Sequence, residues 1–131
     1  MSTESIAVYP GSFDPVTRGH LEIIERARDL FDVLHVAVVA NPSKECLFSS
    51  DERLDLLRAE TAALGGSGKL EFTSFEGLTV QLAGKLGARW IVRGLRSGAD
   101  LASELPMALT NRECAEGELD TVFLPASPGT S

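Results

Sequence analysis

Apolar positions along this chain switch between two periods. Short apolar runs at residues 6–9 and 90–92 and a valine-rich run at 33–40 are bounded by Pro10-Gly11, Arg93-Gly94 and Asn41-Pro42. Runs of that length between turn residues read as buried strands. Residues 70–75 alternate enough to add a third strand, and residues 121–124 read as a fifth. Between them the period becomes helical. Leu21, Ile23, Ile24, Ala27, Leu30 and Phe31 recur at three- and four-residue intervals after Thr17. Ser49 and Glu52 have capping-box spacing ahead of an apolar face of Leu54, Leu57, Thr61 and Leu64, which Gly65-Gly66-Ser67-Gly68 ends. Residues 78–86 form a short helix with Gly87 at the C-terminal position, residues 100–111 form another, and residues 125–131 read as loop.

Strand and helix therefore alternate through one domain, residues 1–131. Parallel neighbours need a helix-sized crossover, so the order predicts an α/β fold: a doubly wound, Rossmann-like, five-stranded parallel sheet with helices on both faces. Ligands of such sheets lie at the carboxyl ends of the strands, where the strand order reverses. If the first and fourth strands are neighbours there, the segment from Pro10 to His20 and the segment from Arg93 to Arg96 face one crevice.

Composition narrows the partners. A surplus of 19 acidic over 12 basic side chains, net −7, argues against a grip on long nucleic acid or an anionic membrane. A small phosphorylated ligand needs only a few local cations and stays compatible with it. The longest apolar stretch, residues 36–40, is far too short for a membrane span. Cys46 and Cys114 make no metal-ligand spacing and read as reduced thiols. With no signal peptide in view, the expected location is cytoplasmic.

Candidate chemistry gathers after the first and fourth strands. In Tyr9-Pro10-Gly11-Ser12-Phe13-Asp14-Pro15-Val16-Thr17-Arg18-Gly19-His20 the glycines allow close backbone approach and Ser12 offers a hydroxyl. The helix that follows directs free N–H groups toward the crevice. His20 falls in its first turn, placed either to donate to a phosphate oxygen or to be satisfied by a backbone carbonyl. Arg93 and Arg96 suit phosphate recognition, with ion pairing to Asp100 or Glu104 as the alternative.

The Thr17-Arg18-Gly19-His20 stretch, with Gly11-Ser12-Phe13-Asp14-Pro15 upstream, resembles the (H/T)xGH nucleotidyltransferases, and among them the bacterial phosphopantetheine adenylyltransferases. Asn41-Pro42-Ser43-Lys44, Phe48 with Glu52-Arg53, Ile91-Val92-Arg93-Gly94-Leu95-Arg96, Asp100, Glu104, Asn111-Arg112 and Thr121-Val122-Phe123-Leu124 extend the likeness over most of the chain. The resemblance implies transfer of AMP from ATP to 4′-phosphopantetheine, giving dephospho-coenzyme A and pyrophosphate. It implies His20 as the catalytic residue that stabilises the transition state. Ser12, Phe13, Gly94, Leu95, Arg96 and Glu104 would join His20 on the ATP side. Ser12, Lys44, Thr79 and Arg93 would bind the acceptor. Magnesium (Mg2+) would be held through the ATP phosphates with no protein metal site, and the assembly would be a homo-oligomer, a hexamer in the family.

Three departures shape the expectations. Relatives continue into a serine-rich ATP loop and two further helices, so the chain is expected to be C-terminally incomplete relative to the family. Pro106 stands where the family usually has glutamine, at a cost of about 3 kcal/mol if it is inside a helix. Glu45 places an anion beside Lys44 where a second cation is common. Two alternatives follow: a nucleotidyltransferase for another phosphorylated acceptor, or a non-catalytic nucleotide-binding or oligomerising remnant.

Overall fold

A computed structural model describes residues 4–40 and 45–127. Its elements run β1 (Ile6–Gly11), α1 (Arg18–Arg28), β2 (Val33–Val39), α2 (Ser50–Thr61), β3 (Lys69–Phe75), α3 (Thr79–Leu86), β4 (Trp90–Leu95), α4 (Gly98–Cys114) and β5 (Asp120–Pro125). The sheet order is β3-β2-β1-β4-β5, every neighbouring pair parallel. This is the expected doubly wound sheet, with β1 and β4 adjacent at the switch point.

Successive strand side chains face opposite ways, so each strand serves two cores. Ala7, Tyr9, Leu34, Val36, Val38 and Val92 pack with Ile23, Ile24 and Ala27 of α1 and Leu54 and Leu57 of α2. The alternate positions Val8, Ala37 and Ile91 pack with Leu82 and Ala83 of α3, Ala88 and Leu119. Burial on both faces explains why the strands read as continuous apolar runs.

The caps are local chemistry. Ser49 accepts from the Glu52 N–H at 3.1 Å while the Glu52 carboxylate accepts from the Ser49 N–H at 2.8 Å, the box expected from their spacing. Gly87 ends α3 at φ 72°, a left-handed conformation that favours glycine.

Several boundaries differ from expectation. α1 ends at Arg28, so Leu30 lies beyond its last turn and is 57% exposed. Leu64 likewise lies past α2, though it still packs on the core. β4 runs on to Leu95 because its pairing with β5 continues to Leu95↔Pro125. Arg93, Gly94 and Leu95 are therefore strand residues and not a loop after the strand. α4 starts at Gly98, where the Ser97 hydroxyl accepts from the Asp100 N–H, and continues through Pro106.

What positions the site is a split in the sheet. β1 pairs with β2 from Ile6↔Val33 to Gly11↔Val38. On its other side it pairs with β4 only at Ala7↔Trp90 and Val8↔Ile91. Beyond those residues the carboxyl halves of β1 and β4 part. Pro10, which has no N–H to give a neighbouring strand, sits where that ladder has stopped.

Candidate active site

The parted strands open a crevice of about 370 Å³ at the carboxyl edge of the sheet, lined from one side by Gly11, Ser12 and Phe13 and from the other by Arg93 and Gly94. Arg93 spans the gap. Its Nη1 donates to the Pro10 carbonyl at 2.9 Å, and its Nε and Nη2 grip both oxygens of Glu104 at 2.7 and 2.9 Å. This paired fork fixes the guanidinium plane and leaves one N–H on each terminal nitrogen for a ligand. The Glu104 hydrogen bonds, against the opposing effect of burial, hold the Arg93 pKa above the ordinary arginine range. Arg96 pairs with Asp100 in the same manner at the crevice rim, 3.2 Å from Nε to the carboxylate. The ion pairs considered for these arginines both exist, and both arginines still line the crevice.

His20 enters from the first turn of α1. Thr17 is the N-cap: its hydroxyl accepts from the His20 N–H at 3.3 Å, and its own N–H donates to His20 Nδ1 at 2.9 Å. Histidine thus takes the place that glutamate or glutamine holds in a capping box. The contact is to a backbone N–H, not to a carbonyl, because a helix start exposes donors rather than acceptors. With Nδ1 accepting, the neutral ring carries its proton on Nε2. Burial, reinforced by the Arg93 charge, lowers the His20 pKa below the usual histidine value. The site therefore presents a neutral imidazole donor.

Phe13 supports that ring. It is 2% exposed, its ring centroid lies 4.9 Å from that of His20 and 5.3 Å from that of Tyr9, and both contacts are edge-to-face. Its φ of 47° is left-handed, a conformation that costs a non-glycine residue about 1–2 kcal/mol. A Cβ on Gly11 would lie 2.9 Å from the Phe13 ring, so glycine is required by close approach. Burial raises the Tyr9 pKa to about 12, with the Arg93 charge opposing, so its hydroxyl stays protonated.

A second crevice of about 200 Å³ adjoins the first. The two share Pro10, Gly11, Arg93 and Glu104, and the second adds Thr79, Ile91, Met107 and Ala108. Of the residues expected to form the site, Ser12, Phe13, His20, Gly94 and Arg96 line the larger crevice, Thr79 the smaller, and Arg93 and Glu104 both. Leu95 lines neither, because it sits at the end of β4 in register with Pro125. Lys44 and its neighbours 41–43 lie outside the described residues.

Sequence reasoning missed the structural part of Tyr9 and two residues behind the loop. The Asp14 carboxylate accepts from the N–H groups of Leu47 and Phe48 at 2.7 and 2.9 Å, stapling this loop to the approach to α2. Arg53 is buried, 3% exposed. Its signal was available: positions 53, 57 and 61 lie on one helical face, so an arginine stands on the buried stripe.

A parallel sheet split at its switch point, with a capped histidine at the opening of α1 and paired arginines opposite, defines a nucleotidyltransferase-type α/β domain. The cytidylyltransferase-like family model matches residues 8–130. Within that class the chain belongs to the phosphopantetheine adenylyltransferase family. It is 53% identical over 119 residues to the phosphopantetheine adenylyltransferase of Carboxydothermus hydrogenoformans, covering 91% of this chain and 71% of that one. It is 50% identical over 122 residues to the enzyme of the same name from Gloeobacter violaceus, covering 93% and 73%. The fold also matches Plasmodium falciparum nicotinic acid mononucleotide adenylyltransferase complexed with NaAD, with a TM-score of 0.68 at 15% identity over 98% of this chain and 78% of that one.

Proposed function

We propose that this protein transfers AMP from ATP to 4′-phosphopantetheine, forming dephospho-coenzyme A and pyrophosphate. The observation that carries the proposal is the meeting of two crevices at Arg93. The larger one, with His20, Arg96 and the open first turn of α1, suits a triphosphate. The smaller one, with Thr79, Met107 and Ala108, suits a slender, partly apolar arm whose phosphate would reach Arg93 at the junction.

In that arrangement an oxygen of the acceptor phosphate attacks the α-phosphorus of ATP. The new P–O bond forms as the bond to the β-phosphate breaks, and pyrophosphate leaves. No protein nucleophile is required. The protein's contribution is to hold two anions in line and to stabilise charge as it develops, with His20 Nε2–H as a donor at the α-phosphate. Lys44 is proposed as a second cation on the acceptor phosphate. Magnesium carried by the ATP phosphates would supply charge neutralisation there. The crevice carboxylates, Asp100 and Glu104, are engaged by arginines, and among the described residues no three His, Cys, Asp or Glu side chains group as a metal site.

A cytoplasmic homo-oligomer belongs to the same proposal. No helix among the described residues is long and apolar enough to cross a membrane. Leu101, Leu105, Met107 and Leu109 of α4 are exposed, which supports self-association.

The test is pyrophosphate release with ATP and a panel of acceptors. Release should require the phosphorylated pantetheine and vanish with unphosphorylated pantetheine. Turnover with a different phosphorylated acceptor and none with phosphopantetheine would transfer the chain to another branch of the superfamily.

A further inference from the structure

Arg53 carries a full charge in a nearly closed environment. It is 3% exposed, and no carboxylate among the described residues lies at ion-pair distance from it. Burying a guanidinium is costly unless its donors are met. Each of its three nitrogens donates to one oxygen, two of them backbone carbonyls and one a hydroxyl. Nη1 donates to the Ser12 carbonyl at 2.8 Å, Nη2 to the Ser50 hydroxyl at 3.2 Å and Nε to the Ser49 carbonyl at 3.4 Å. Two of these contacts are to the start of its own helix. The shortest reaches 41 residues back, to the loop that forms one wall of the larger crevice.

The consequence follows from peptide geometry. The Ser12–Phe13 bond is trans, and in a trans peptide the C=O and N–H point in opposite directions. Drawing the Ser12 oxygen toward α2 therefore turns the Phe13 N–H away from α2. Ser12 and Phe13 both line the crevice, and among the described residues no acceptor takes the Phe13 N–H. The left-handed φ of 47° at Phe13 needs such external restraint, since the backbone alone disfavours it. Ring burial fixes the side chain of Phe13, and Arg53 fixes the peptide before it.

We infer that Arg53 is a positioning residue of the nucleotide site, which aims the Phe13 N–H into the crevice as a donor to a phosphate oxygen of ATP. This rests on the proposed function for the identity of the ligand. Arg53 itself touches no substrate. Its buried charge also strengthens the dipole of the Ser12–Phe13 peptide, because a cation on the carbonyl oxygen draws electron density from the N–H.

Titration calorimetry on the intact chain and on Arg53→Lys, with ATP, pyrophosphate and phosphopantetheine as separate probes, tests the assignment. Lysine keeps the charge but cannot reach all three oxygen partners at once. ATP and pyrophosphate should each bind about tenfold more weakly to the variant, the loss of one hydrogen bond to a charged group. Phosphopantetheine should change by less than about twofold on the same scale. Equal weakening of all three probes would reduce Arg53 to a general structural role and overturn the assignment, as would unchanged ATP binding.

A second measurement needs no variant. The Phe13 amide resonance of the wild-type chain should shift on adding ATP, together with that of Gly19. A Phe13 amide that stays fixed while Gly19 and His20 respond would overturn the inference even if Arg53→Lys failed to fold. Wild-type protein that bound no ATP would remove the proposed function and this inference with it. Bound ATP with a silent Phe13 amide would remove the inference alone.

Discussion

Thr17 and His20 close a reciprocal pair at the start of α1: the Thr17 N–H donates to His20 Nδ1 at 2.9 Å, and the His20 N–H donates to the Thr17 hydroxyl at 3.3 Å. One residue thus serves the fold and the chemistry together. Its Nδ1 satisfies a helix-start donor, and its Nε2–H is left for the crevice.

The first prediction concerns pH. Because the folded-state pKa of His20 is lowered, by burial first and Arg93 second, the stability it contributes is fully present above the unfolded value of 6.5. That contribution is lost as pH falls through the lowered folded value. Turnover, which depends on the folded state alone, should stay flat in this group through 6.5 and fall only as pH passes the lowered folded value. In the His20→Gln variant the fall in stability just below pH 6.5 should be shallower, with His35, whose pKa is also lowered by burial, contributing to what remains. The lowered carboxylates Asp14, Glu22, Glu52 and Asp100 add their loss at more acid pH. A turnover rate that rose as His20 became protonated would show that imidazolium is the working form.

His20→Ala should lower kcat by about two orders of magnitude, the typical loss of one transition-state donor. Helix α1 should persist, because Thr17 still caps it and Ile23, Ile24 and Ala27 still bury its inner face. Circular dichroism and kcat together check this. An unchanged kcat removes His20 from the mechanism.

Pro106 stands inside α4, where it withholds one N–H from the helix ladder. No residue of α4 is buried, so little packing opposes a change there. Pro106→Ala should therefore stabilise the protein by about 1–3 kcal/mol, measured as a shift in urea midpoint at constant slope. Destabilisation would mean that the proline ring supports a contact worth more than the missing hydrogen bond.

Gly68 is a constraint far from the site. A Cβ there would lie 2.1 Å from the Arg28 carbonyl oxygen and 2.6 Å from that of Phe31. Both obstacles are backbone, so neither can swing aside. Gly68→Ala should cost about 2 kcal/mol or more in thermal or urea unfolding. Gly84→Ala, with nothing within 4 Å of the new Cβ and a helical site, is the matched control and should be neutral or stabilising.

Much of this fold was legible because it is written in periods. The valine-rich runs, the Ser49–Glu52 box and Gly87 all mark structure by local chemistry, and local chemistry survives folding unchanged. The ends of β4 and α1 were not legible. β4 runs past Val92 only because β5 lies alongside it, and Leu30 is exposed only because α1 stops one turn early. The candidate site divides the same way. His20 and Ser12 announce themselves in a glycine-rich segment before a helix, whereas Arg53 shows only as an arginine on the buried stripe of α2, and the partner it reaches 41 residues away leaves no local mark. The split between β1 and β4 left one trace, Pro10, whose missing N–H is tolerable only where a ladder has ended.

The last prediction separates what Arg93 does for stability from what it does for ligand. Its guanidinium is the partner of both Glu104 oxygens, and the Glu104 side chain is 16% exposed. Arg93→Ala leaves that carboxylate unpaired and the gap between β1 and β4 unbridged. Breaking a fully buried pair costs about 3–5 kcal/mol, and Arg93 is 32% exposed, so about 1–2 kcal/mol is expected. Adding Glu104→Ala removes the stranded charge and should return most of that stability. It should not return function. Arg93 stands where the two crevices meet, so both the single and the double variant should show a raised KM for the acceptor phosphate, larger than any change in KM for ATP. Thermal unfolding and steady-state kinetics on the four proteins of this cycle provide the check. If the double variant recovered the acceptor KM along with its stability, the weakened binding in Arg93→Ala would come from Glu104 repelling the phosphate, and Arg93 would lose its place as the acceptor's ligand.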